Sequence, residues 1–385
     1  MEKWLSQEEA CEALGVLKQT LYAYASRGRV EVRWDPEHVG RKLYRGSDVV
    51  ALIKKRARGR ARKTIAASTM AWGEPIINTR ISTIVRGRLY YRGVDAVELA
   101  GRATLEEAAQ CLWEAHTAPV FATPREDVVP LPQSASLRAR AYASIALAAA
   151  HPVPLAAPDA IRLHEEAAAL VGRLASGFVW LDGDGPLHLR IARAWCCEAK
   201  ADLLRRALVL LADQELTTSA FAGRVAASTG ASLGSCMLAA LATLSGPLHG
   251  DAALRVQALL DEVRNVGVEA AVAQWRSHNG ALPGFGHELY PQGDPRAADL
   301  LGKFAAPPEV RALIDYVHET SGLAPTIDVA LIGLAGHCRL PFDAVFAMFA
   351  IGRSVGWMAH AIEQVTSGTL LRPRANYVGP LVDNR

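Results

Sequence analysis

The residues best suited to chemistry lie in the last 140 positions. Pro325-Thr326-Ile327-Asp328 places a carboxylate at the head of the apolar run Val329-Ala330-Leu331. A carboxylate taken out of water is costly without a reason, so Asp328 is a candidate functional acid or base. Two histidines stand on glycine-bearing turns, His249 in Gly246-Pro247-Leu248-His249-Gly250 and His287 in Pro283-Gly284-Phe285-Gly286-His287. Glycine lets the backbone approach closely and turn tightly there. Arginines sit beside or within apolar stretches: Arg296 in Asp294-Pro295-Arg296, Arg353 in Gly352-Arg353-Ser354-Val355-Gly356-Trp357, and Arg372 in Arg372-Pro373-Arg374. A guanidinium so placed is suited to a carboxylate or phosphate, which it binds through two parallel hydrogen bonds. Taken singly, each piece also reads as a capping histidine, a turn with an ion pair, or a core polar residue.

The elements that must hold these residues read as helices. From about Thr64 onward Ala and Leu dominate, and the alternation expected of strands is scarce except near Ile76–Tyr91. Thr104-Leu105-Glu106-Glu107 is a capping box, opening a helix toward Trp113. Pro/Ala-rich stretches at Pro119–Pro132 and His151–Pro158 separate helices, and no 20–50-residue repeat is visible. The 385 residues, half of them hydrophobic, fit two or three folding units with a large core. No uncharged apolar run reaches the roughly 18 residues of a membrane helix. The N-terminus lacks the pattern of a signal peptide, so the cytoplasm is the expected compartment and no membrane partner is expected. Six scattered cysteines form no C-x-x-C or Cys/His metal pattern, and the adjacent Cys196 and Cys197 are expected to be buried small hydrophobes.

Together the pieces resemble the citrate synthase family. G-P-L-H-G, P-G-F-G-H with D-P-R, P-x-x-D, G-R-x-x-G-W-x-A-H and R-P-R occur in that family's order. Leu89-Tyr90-Tyr91-Arg92-Gly93-Val94-Asp95 and Arg224–Thr229 add to the likeness, which spans about Ile76 to Gly379. The resemblance implies a mainly α, two-lobed helical fold, with a large lobe of about residues 64–252 and 355–385 and a small lobe of about 253–354. It implies an acyltransferase that condenses acetyl-CoA or propionyl-CoA with oxaloacetate, giving citrate or 2-methylcitrate plus CoA. Asp328 would be the general base, and His249 would hydrogen-bond the thioester oxygen. His287 would donate to the ketone oxygen. Arg296, Arg353 and Arg372 would hold the dicarboxylate, Arg372 reaching in from the partner subunit of a homodimer. The CoA thioester is a co-substrate, and neither cofactor nor metal is implied.

The chain departs from the family pattern in three places. In Ala212-Asp213-Gln214-Glu215-Leu216-Thr217, Gln214 replaces a histidine that helps bind oxaloacetate, and Thr217 replaces an asparagine. Glutamine still donates a hydrogen bond but never carries charge, so a dianion should bind more weakly or the preferred oxo acid differ. Glu288 and Pro291 stand where basic residues often meet CoA phosphates, and Asp251 stands where a second glycine is usual.

The first 63 residues read as a separate module. Residues 1–65 hold 15 Lys/Arg and 8 Asp/Glu, so the basic surplus of the chain is concentrated there, and local surplus attracts polyanions. Ser6-Gln7-Glu8-Glu9 is a capping box. It opens a helix to Leu14, a second helix is expected over about Lys18–Ser26, and Val30–Trp34 with Lys42–Tyr44 reads as a small wing. Ser47-Asp48 then caps a third helix from Val49 to about Lys55, followed by a basic linker over Lys54–Lys63. This pattern resembles the winged helix-turn-helix of the MerR and excisionase type. The likeness implies DNA contact through Lys18, Gln19, Thr20 and Tyr22 on the second helix, with Arg27 and Arg29 at phosphates. A docking or dimerisation module reads equally well. The competing functional reading is thus a DNA-binding regulator whose synthase-like part senses an acyl-CoA or oxo acid.

Overall fold

In the computed structural model the described residues are 4–14, 16, 18–26, 28–36, 38, 40–52, 77–122, 132, 134–151, 159–181, 183–373 and 379. The chain forms two compact units, Met1–Asn78 with Pro373–Arg385, and Thr79–Arg372.

In the first unit α1 (Gln7–Leu14) and α2 (Lys18–Ser26) are followed by a helix over residues 46–52, α3. The Ser6 capping box is in place: Glu9 N–H donates to Ser6 Oγ (3.3 Å), and Ser6 N–H to Glu9 Oε2 (2.7 Å). Strands β2 (Val32–Trp34) and β3 (Lys42–Arg45) form the expected antiparallel pair, and β1 (Trp4–Leu5) adds a third strand on the other side of β3. Ala10, Leu14, Leu21, Val30, Tyr44, Val49 and Leu52 make its core. The third helix starts earlier than the sequence suggests. Asp48 lies inside its first turn, and its Oδ2 accepts from Glu31 N–H (2.9 Å), fixing the start of the hairpin instead of capping a helix. Arg27 and the basic run 54–63 lie outside the described residues.

The second unit begins with a three-stranded antiparallel meander, β4 (Ser82–Val85), β5 (Arg88–Tyr91) and β6 (Val94–Asp95). The helices follow: α4 (Ala96–Ala100), α5 (Leu105–Trp113), α6 (Leu137–Ala150), α7 (Ala160–Phe178), α8 (Leu187–Ala194), α9 (Ala201–Leu211), α10 (Thr218–Ser228), α11 (Leu233–Leu244), α12 (Ala252–Val266), α13 (Val268–Asn279), α14 (Pro295–Leu301), α15 (Pro308–Ser321), α16 (Ile327–Cys338) and α17 (Ala344–Ser367). The Thr104 capping box closes as read, Glu107 N–H to Thr104 Oγ1 at 3.2 Å and Thr104 N–H to Glu107 Oε2 at 2.7 Å. Cys197 is buried as expected. Cys196 is not: it stands exposed in a left-handed turn at φ 52°.

The 24-residue α17 organises the unit, with α5, α7, α9, α10 and α11 packed around it. It is long and apolar enough to cross a membrane by composition, yet its apolar stretch is wholly buried inside the protein, as in a core helix. Two glycines one turn apart let α9 press against it. A Cβ on Gly352 would lie 2.8 Å from Leu211 Cβ and 2.9 Å from Leu208 O; one on Gly356 would fall on Asp213 Oδ1 and Ala212 O. Gly356 N–H donates to Ala212 O (2.9 Å), and Trp113 Nε1–H to Val355 O (2.9 Å), so both helix neighbours are tied to α17 at the turn that carries Arg353. A second group packs α12 against α13, α15 and α16, and α14 against α16.

Candidate active site

Three short segments present the candidate residues. The first follows α11. Gly250 N–H returns to Leu244 O (2.8 Å), and a Cβ at Gly250 would lie 2.8 Å from that same oxygen, so only glycine permits the tight reversal that presents His249. His249 Nε2 is 2.7 Å from Ser219 Oγ at the start of α10, and Trp357 Nε1–H of α17 donates to the same oxygen (3.1 Å). The indole only donates, so the single Ser219 proton is left for His249 or for Thr217 Oγ1, 3.3 Å away. Burial and then the Arg353 charge lower the His249 pKa to about 4, keeping it neutral at pH 7.

The second and third segments are stitched together. Gly286 N–H donates to Ala324 O (2.9 Å) and Thr326 N–H to Gly284 O (2.8 Å), making an isolated antiparallel bridge between Phe285 and Pro325. Gly284 is in the left-handed region (φ 78°), and a Cβ there would lie 2.6 Å from Val329 Cγ2 and 2.7 Å from Val256 Cγ2. The turn bearing His287 and the lead into Asp328 are therefore one structure.

Asp328 sits in the first turn of α16, half-buried, its Oδ2 accepting from Thr326 Oγ1 (3.0 Å). Burial raises its pKa; the Thr326 hydrogen bond and the charge of Arg296 pull the other way. His287 Nδ1 accepts from Leu289 N–H (3.1 Å), so the proton of the neutral ring is on Nε2; the Gln214 Nε2 that lies 3.3 Å away is also a donor, so the two groups share no hydrogen bond and Nε2–H is open to an outside acceptor. Burial first, then Arg296, lower the His287 pKa.

Gln214 and the two buried arginines link the segments. Arg296 Nη1 donates to Gln214 Oε1 (2.7 Å), while its Nε and Nη2 form a two-pronged bond with Asp294 (2.9 and 2.8 Å). Asp294 also accepts from Ile327 N–H (3.0 Å), the residue next to Asp328. Arg353 is bonded through Nε to Leu211 O (2.8 Å) and lies 5.1 Å from the Phe349 ring, which in turn meets His249. Its Nη1 and Nη2 are buried with no hydrogen-bond partner among the described residues. Burial is the main influence depressing the Arg353 pKa; Asp213 counters it. Asp213 is itself buried between the Ser82 hydroxyl and His360 Nε2.

The structure thus bonds Gln214 to Arg296, sets His287 beside Gln214, ties Arg296 through Asp294 to the backbone next to Asp328, and sets His249 against Phe349 and Arg353. Arg372 is not among these residues: the side chain is exposed, with no hydrogen bond or ion pair to any described residue. Residues the sequence reading missed are Ser219 and Trp357 behind His249, Thr326 behind Asp328, and Asp294 as counter-charge to Arg296. Only Asp294-Pro295-Arg296 gave a local signal, because Asp294 also caps α14 through Arg296 N–H (3.0 Å). Of the departures, Thr217 caps α10 (Ala220 N–H, 3.4 Å), Glu288 is exposed, and Asp251 is ion-paired to Arg138 (2.8 Å). Among the described residues no group of three or more His, Cys, Asp or Glu is placed to hold a metal ion.

A large helical unit with two imidazoles on glycine-bearing turns, a carboxylate in the first turn of a helix and an orphaned guanidinium inside a buried helix defines a class of enzyme-like site, and comparison supplies the family. The family profile described as "Citrate synthase, C-terminal domain" matches residues 138–374. The chain belongs to the citrate synthase family. It is 35% identical over 194 residues to a citrate synthase of Haloferax volcanii, covering 47% of this chain and 51% of the relative. It is 37% identical over 185 residues to a putative citrate synthase 2 of Mycobacterium tuberculosis, covering 45% and 50%. The chain thus spans about half the length of the curated relatives it matches. Among solved structures it resembles a citrate synthase from Thermotoga maritima (27% identity, TM-score 0.67, 81% of this chain and 96% of that one). It also resembles the Thermoplasma acidophilum citrate synthase solved with carboxymethyl coenzyme A and oxaloacetate (25%, 0.67, 81% and 96%).

Proposed function

We propose that this chain condenses an acyl-CoA, acetyl-CoA or propionyl-CoA, with oxaloacetate to a CoA thioester, which a water admitted after the carbon–carbon bond has formed then hydrolyses to citrate or 2-methylcitrate and free CoA. The observation that carries this reading is the buried, unpartnered Nη1/Nη2 pair of Arg353 close to the neutral imidazole of His249. A buried guanidinium fork without an acceptor is costly, and a substrate carboxylate satisfies it. Asp328, its pKa raised by burial, is then the base that takes the α-proton of the thioester. The Ser219 hydroxyl donates a hydrogen bond to His249 Nε2, which leaves Nδ1–H to donate to the developing enolate oxygen. His287 Nε2–H, beside the Gln214 amide, donates to the ketone oxygen. Arg296 steadies this corner, and Arg372 serves the site of the other subunit in a homodimer. The groups around α17 and around α12–α16 act as the large and small lobes, closing over substrate to exclude water. The test is thiol release from each acyl-CoA with and without oxaloacetate. Oxaloacetate-dependent release is the expected result; none from folded protein, with either donor, overturns it.

A second reading is favoured by the first unit. Lys18, Gln19, Thr20, Tyr22 and Arg29 are all exposed, and the unit combines two helices with a strand pair placed as in a winged helix-turn-helix. In this reading the unit binds DNA and the synthase part serves as a sensor. DNA retardation that weakens steeply between low and physiological salt would support it, whether or not turnover is found.

A further inference from the structure

A cavity of about 240 Å³ opens among the ends of five helices: the starts of α6, α12, α15 and α17 and the end of α16. It borders Gly250, the neighbour of His249, but lies away from the proposed base. Asp328 and the cavity-lining Arg339 are eleven residues apart along α16, roughly 16 Å at 1.5 Å per residue. The floor is apolar, with Val310, Ile332 and Phe346, and the mouth carries Leu254 and Phe342, 42% and 77% exposed.

The wall is cationic by one charge: Arg138, Arg264 and Arg339 against Asp251 and Asp343. Two of these arginines are occupied. Arg138 makes two bonds to Asp251 (2.8 and 2.9 Å) and stacks 3.7 Å from the Phe346 ring; Arg264 is held by Asp261 and Glu309. Arg339 has no side-chain hydrogen bond or ion pair to any described residue. It also occupies the left-handed cap of α16 (φ 56°), the position where glycine is the residue of least strain. Arg339 is exposed, so its hydrated guanidinium is open to an anion at the cavity rim.

We propose that this cavity is a second ligand site, taking a small carboxylate with a short apolar body. The body lies on Ile332, Val310 and Phe346, and the carboxylate meets the Arg339 fork. At about 30 Å³ per water-sized unit, the space suits on the order of eight non-hydrogen atoms. The occupant would span the ends of the helices that bear the proposed machinery: α12 begins three residues after His249, α16 opens with Asp328, and α17 carries Arg353. Binding does not depend on the condensation reading; only an effect on turnover rests on it.

The test is calorimetry of the full chain with hexanoate and benzoate, against hexanol, benzyl alcohol and inorganic phosphate. The two carboxylates are expected to saturate the protein, about tenfold or more tighter than the alcohols, and phosphate not to bind here. Arg339→Gly suits the backbone and removes the fork, so it should hold or raise the melting temperature while weakening the carboxylates about tenfold. Ala335→Leu, filling the cavity, should abolish binding. No saturation by either carboxylate, equal binding by the alcohols, or binding unchanged in both variants overturns the proposal. Thiol release with hexanoate present, in wild type and in Arg339→Gly, then reads coupling separately. Loss of the condensation reading would leave the calorimetric result standing.

Discussion

Arg296 and Arg353 are both fully buried, at 1% and 0% exposure, yet their surroundings are opposite. Arg296 is bonded by the protein through Nε, Nη1 and Nη2, and its counter-charge Asp294 is two residues away. Arg353 is held by one backbone carbonyl through Nε, and its outer nitrogens bond to no described residue. The first is a keystone: its charge is balanced, and its bonds join Gln214 to the lead of Asp328. The second carries an unpaid desolvation cost, which makes it the place for a ligand. Two arginines of equal burial therefore have different work, and the satisfaction of their donors tells them apart.

The sharpest test of the chemistry beside these arginines is the base. Asp328→Asn keeps the shape and removes basicity, so oxaloacetate-dependent thiol release should fall by about 10²–10⁴-fold with little change in melting temperature. Retained turnover would remove Asp328 from the mechanism. The comparison itself is tested by paired substitutions. Arg296→Met strands buried Asp294 and should cost about 3–5 kcal/mol of stability by chemical denaturation. Arg353→Met removes a guanidinium whose outer nitrogens bond to no described residue and whose charge is offset only at a distance, chiefly by Asp213. It should leave stability within about 1 kcal/mol while raising the KM for oxaloacetate about ten- to hundredfold. Equal stability losses in the two variants would refute the distinction.

Smaller effects follow from the acids and bases that flank the arginines. The folded pKa of His249, about 4, lies below its ordinary 6.5. The unfolded chain therefore binds the proton first, and this site's stability contribution is full above pH 6.5 and lost as pH falls toward 4. The loss is up to about 3 kcal/mol. A His249→Gln variant should show a shallower fall of denaturation free energy across that window. The smallest effect is on the acid limb of the rate profile. Thr326→Val removes a hydrogen bond that lowers the Asp328 pKa, so the limb should move to higher pH while turnover at its plateau changes little.

Much of this was legible in the chain, for reasons that can be named. The capping boxes at Ser6 and Thr104 came through because their partners are three residues apart. The turns at Gly250 and Gly284 came through because the backbone there admits no side chain. The helix-start assignment at Ser47-Asp48 failed because Asp48 bonds across 17 residues to Glu31. The contrast between the arginines was hidden for the same reason: the bond from Arg296 to Gln214 crosses 82 positions and that from Arg353 to Leu211 crosses 142. Ser219 gave no sign at all, since a serine in a helix's first turn is unremarkable until His249 and Trp357 arrive from elsewhere.

The Phe285–Pro325 bridge bears on how such a site can be transplanted or can drift. Because residues 284–287 and 324–328 share a seam of backbone bonds, an insertion in one strand of it displaces the imidazole and the carboxylate as a unit. A designer who wished to move this chemistry to another scaffold would have to carry both stretches as a single cassette.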